Sequence, residues 1–66
     1  SYVYKKGQAH WLELLEWNEK AMILLEYEIS ILNLAASNKV LSDKQALKLI
    51  NAENRAKEHG FPKLFL

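Results

Sequence analysis

Residues 17–33 read WNEKAMILLEYEISILN, and the architecture turns on whether they form the middle of one long helix or the junction of two. From Gln8 to Ser37 there is neither proline nor glycine, the two residues that punctuate local structure most strongly. Trp11, Leu15, Asn18, Met22, Leu25, Ile29, Leu32 and Ala36 follow one another at alternating steps of four and three, the spacing of a left-handed supercoiled seam. Asn18 is the one polar member. A buried amide in a seam either fixes register and partner number or marks a helix break, and both readings are open.

A second row, Leu14, Trp17, Ala21, Leu24, Glu28, Ile31 and Ala35, lies beside the first, and Leu12, Ile23, Tyr27 and Leu34 fall beyond both. A helix this apolar around its circumference calls for neighbours on more than one side. Length argues the same way. Run unbroken, the segment is a rod of roughly 43 Å at about 1.5 Å per residue, whereas a compact globule of this size has a diameter of about 28 Å. If the rod is continuous, a second chain must cover what protrudes, and an antiparallel or crossed dimer of helical hairpins is the simplest closed solution. If it breaks near Asn18, a three-helix monomer becomes available.

Downstream, Ser37-Asn38-Lys39 reads as a turn, with Asn38 suited to a left-handed cap because its side chain tolerates positive φ. A second helix over 42–59 follows. Ser42 with Gln45 three residues on fits a capping box, Asp43 suits the positive end of the helix dipole, and Lys57 and His59 suit the negative end. Gly60 and Pro62 terminate it. The tail 60–66 carries Phe61, Leu64, Phe65 and Leu66 and is expected to fold back on the helices. Upstream, the alternation in SYVYKKG predicts an extended arm over 1–7. The expected fold is thus all-α, one domain over 1–66: arm, helix 1 over 8–37, helix 2 over 42–59 and apolar tail, assembled as a dimeric helical bundle.

Half of the 66 residues are hydrophobic and 26% are charged, a composition that folds rather than stays disordered. A chain this short buries only about 60% of its unfolded surface and is marginal alone. With no cysteine, disulfides and most structural zinc sites are excluded as staples, which leaves a partner. No apolar run approaches the roughly 18 residues of a membrane span and no secretory leader opens the sequence; a cytoplasmic protein is expected.

The net charge of +1 is unevenly spread: residues 1–36 hold three lysines against five glutamates, and residues 37–66 hold six Lys/Arg against three acids. At about 100° per residue, Lys44, Lys48, Asn51, Arg55 and His59 share one narrow arc of the second helix. Such a stripe can contact phosphates and base edges, helped by Lys5 and Lys6 beside Tyr2 and Tyr4, but it also serves as the solvated face of an amphipathic helix. Glu53 falls on the opposite, apolar side, where Lys57 or Lys20 would have to neutralise it.

Catalytic chemistry leaves no trace. His10 and His59 are the only histidines, neither sits in a metal-binding repeat, no serine has a base at activating spacing, and His10 reads as a surface residue of a helix N-terminus. No enzyme, cofactor, metal or small-molecule substrate is expected. The leading expectation is an oligomerisation or adapter module that packs helix against helix in an assembly or regulatory role, through Trp11, Leu15, Asn18, Met22, Leu25, Ile29 and Leu32. Its partner would be a second copy or another helical protein. The alternative is a dimeric nucleic-acid-binding regulator using Lys5, Lys6, Lys44, Lys48, Asn51, Arg55 and His59.

Overall fold

The rod is interrupted. In the computed structural model, which describes residues 2–63, the chain forms four helices: α1 Tyr2–Lys6, α2 Gln8–Ala21, α3 Glu26–Ala36 and α4 Asp43–Glu58. All the regular structure of the described residues is helical.

The break between α2 and α3 is made by the side chain of Asn18. Its Oδ1 accepts from the amides of Ile23 and Leu24 at 2.9 and 3.0 Å, while its carbonyl accepts from the Met22 amide at 2.8 Å. One residue thereby meets three donors and lets the chain reverse its course without glycine or proline. Met22 takes φ 54°, ψ 44°, a left-handed conformation sparsely used by non-glycine residues. At the start of α3, the Glu28 carboxylate accepts from the amide of the N-cap residue Leu25 at 2.8 Å, satisfying a donor that the helix start leaves open.

This break removes the argument for a covering chain. α2 folds against α3, and α3 against α4; the longest dimension is 34 Å and the radius of gyration 10.8 Å. Trp11, Leu14, Leu32, Leu49, Ala52 and Ala56 are fully sequestered, with Val3, Trp17, Leu24, Ile31, Ala35 and Phe61 around them. A single chain closes this core. Each buried aromatic removes about 150–250 Å² from water, so Trp11, Trp17 and Phe61 carry much of the burial that a small domain has to find.

The arm is also different from expectation: residues 2–6 are helical. The strand preference of Tyr-Val-Tyr is overridden by contacts across the fold. Val3 is buried, its carbonyl accepts from Trp11 Nε1 at 2.9 Å, and Tyr2 meets the Trp11 ring edge-on at 6.3 Å. Gly7, at φ 84°, supplies the positive-φ corner between α1 and α2.

The α3–α4 turn places Asn38 at φ 59°, with Lys39 N–H donating to the Leu34 carbonyl at 2.9 Å. Both bonds of the Ser42 capping box form, Gln45 N–H to Ser42 Oγ at 3.1 Å and Ser42 N–H to Gln45 Oε1 at 2.9 Å. After α4, Gly60 at φ 107° turns the chain back toward α2, where Phe61 meets Trp17 edge-on at 5.5 Å and Trp17 Nε1 donates to the Lys63 carbonyl at 2.8 Å. The expected docking of Leu64, Phe65 and Leu66 lies outside the described residues.

Candidate functional site

Breaking the rod leaves an apolar corner. Where α2 ends and α3 begins, Leu15, Asn18, Glu19, Met22, Leu24 and Ile29 line an open groove of about 410 Å³. The left-handed backbone at Met22 holds its side chain outward, 81% exposed, and Leu25 is 52% exposed. Solvent-facing apolar side chains occur singly on most proteins; here one of them, Met22, lines a cavity.

The seven residues expected at an interface therefore divide. Leu15, Asn18, Met22 and Ile29 line the groove, and Leu25 is exposed next to Leu24 in the chain. Trp11 and Leu32 belong to the closed core, each at 0% exposure, and so offer nothing to a partner of the folded chain. Asn18 is itself only 6% exposed. With Oδ1 taken by two amides, its Nδ2 donates to no described residue.

The exposed acids of α2 and of the start of α3 outnumber their cations. Glu13, Glu16 and Glu19 on α2 and Glu26 on α3 are exposed, and none makes an ion pair among the described residues. The Glu16–Lys20 spacing does not close into one either. Glu19 lies in the last turn of α2, where the helix dipole disfavours a carboxylate.

The α4 stripe is less available than its spacing suggests. Arg55 pairs with Glu28, a carboxylate that is only 2% exposed, and so ties α4 to α3. The Lys48 ammonium lies 4.9 Å from the centre of the Tyr27 ring, and His59 Nδ1–H donates to the Arg55 carbonyl at 2.9 Å. Lys44 and Asn51 remain exposed. Lys5 and Lys6 are exposed on α1 rather than on an extended arm, with Lys6 5.8 Å from the centre of the Tyr2 ring.

A third cluster was invisible in the sequence. Glu53, 1% exposed, accepts from Tyr2 OH at 2.6 Å and from His10 Nε2–H; Lys57, the partner expected from spacing, stands at 3.9 Å. His10 is thus not a free surface residue: its ring also packs edge-on against Trp11 at 4.6 Å and Phe61 at 5.9 Å. The hydrogen bond to Glu53, then burial, then the carboxylate's charge push the Tyr2 phenol up to about 12. Separations of 43 and 51 residues leave no local pattern to read. The cluster locks α1, α2 and α4 together and has no buried polar side-chain atom left unpaired.

No group of three or more metal-binding side chains occurs among the described residues, and no helix there is long and apolar enough to cross a membrane. No family model, curated protein or solved structure matches this chain.

Proposed function

We propose that this chain is a non-enzymatic interaction module, serving assembly or regulation by accepting one helix of a partner protein in the α2–α3 groove. The observation that carries the reading is Met22, pinned outward by a left-handed backbone and 81% exposed at the groove edge. Both features cost folding free energy. Sequences break local rules of this kind mainly at functional sites, and an unbranched thioether adapts well to an incoming surface. Binding is of the helix-in-groove type, in which a partner inserts apolar side chains spaced i, i+3, i+4 and i+7.

A second copy suits the groove less well than a foreign helix, because groove-to-groove pairing would bring two sets of unpaired carboxylates together. Nucleic acid is less well supported still: Arg55 is engaged by Glu28 and Lys48 by Tyr27, which removes two of the five stripe residues.

The test is titration of the isotope-labelled chain with amphipathic helical peptides carrying neutral, cationic or anionic flanks. Chemical-shift changes confined to Leu15, Met22, Leu24 and Ile29, and lost in Met22→Asp, are expected. If no peptide of any flank perturbs these residues, the reading fails.

A further inference from the structure

Taking the groove reading as its basis, we infer that the partner helix is cationic: an amphipathic segment whose apolar face enters the groove and whose Lys or Arg side chains meet Glu19 and Glu26. These two carboxylates belong to different helices. Glu19 lines the groove from α2. Glu26 opens α3 three residues before Ile29, which also lines it, so it projects from the same side of that helix.

Glu19 is the more informative of the two. Acids at the start of a helix, like Glu26, are explained by the helix dipole alone. Glu19 has no such explanation: it sits at the negative end of α2, borders apolar side chains and has no cation within ion-pair distance among the described residues. The helix dipole and the apolar neighbours both work against a carboxylate there, and an incoming cation reverses that sign. Residues 8–36 carry one lysine, Lys20, against five glutamates, and only Glu28 is neutralised, by Arg55. The field at the corner therefore attracts cations and repels phosphates and anionic lipid headgroups. Asn18 adds a directional element, since its Nδ2 donor at the groove can take a carbonyl or hydroxyl of the occupant.

Three peptides with one apolar face and Lys, Gln or Glu flanks decide the matter, with binding followed by fluorescence anisotropy. Two exposed ion pairs predict that the Lys-flanked peptide binds about fivefold to tenfold tighter than the Gln-flanked one, a margin that shrinks as salt shortens the Debye length. In the double variant Glu19→Gln/Glu26→Gln the Lys and Gln peptides should bind alike, while Glu13→Gln keeps the preference. Equal binding of the Lys and Gln peptides to the natural chain overturns the charge assignment and leaves the groove reading standing. Binding of none overturns both. Sedimentation of the chain alone completes the test: if it self-associates through Met22 at the concentrations used, the occupant is a second copy and the inference is wrong.

Discussion

Replacing Asn18 by leucine separates the two roles that a lone polar residue in an apolar seam can play. Were Asn18 a register-setting amide between packed helices, leucine would strengthen the contact and loosen only its specificity. As the cap between α2 and α3, it cannot be replaced this way. Its Oδ1 serves the amides of Ile23 and Leu24, and Leu24 is buried, so one of the two orphaned donors has no water to turn to. Each hydrogen bond lost costs about 1 kcal/mol, and a buried donor left unpaired costs roughly 1–3 kcal/mol; together the loss is about 2–4 kcal/mol. Total stability for a chain of this size is on the order of 3–10 kcal/mol. Urea unfolding followed by circular dichroism is a sufficient assay: with a slope near 1 kcal/mol per molar, the midpoint should fall by roughly 2–4 M. An Asn18→Leu midpoint equal to or above that of the natural chain would refute the capping argument and restore the continuous rod.

Two further outcomes follow from the buried carboxylates. Arg55→Ala leaves Glu28 almost without counter-charge inside the fold and should cost roughly 2 kcal/mol, between the values for exposed and buried pairs; Arg55→Glu should unfold the chain, and thermal melts that find Lys44→Glu equally damaging would contradict this. The Tyr2 phenol, raised from 10.0 to about 12 by Glu53, contributes stability that is fully present below pH 10 and is lost as the pH climbs toward 12. Ultraviolet titration should show that phenolate transition moving down in Glu53→Gln, and an unmoved transition would mean that the Tyr2–Glu53 bond is not formed in solution.

Much of the chain was legible in its residues. Ser42 with Gln45, Asn38, Gly60 and the helical periods of 8–21, 26–36 and 43–58 all act within about one turn, so their chemistry is written in adjacent positions and survives whatever packs around it. Packing decided the rest. Tyr2-Val3-Tyr4 has strand character and becomes helix because Trp11 and Glu53 hold it there. Asn18 has the same spacing whether it lies in a seam or ends a helix, and only the approach of α3 to α2 selects the second. His10 and Glu53 find each other across 43 residues. The groove itself exists because the chain turns where no glycine or proline announced a turn: periodicity records which side chains shun water, but which of them succeed depends on the path of the backbone, a property of the folded whole.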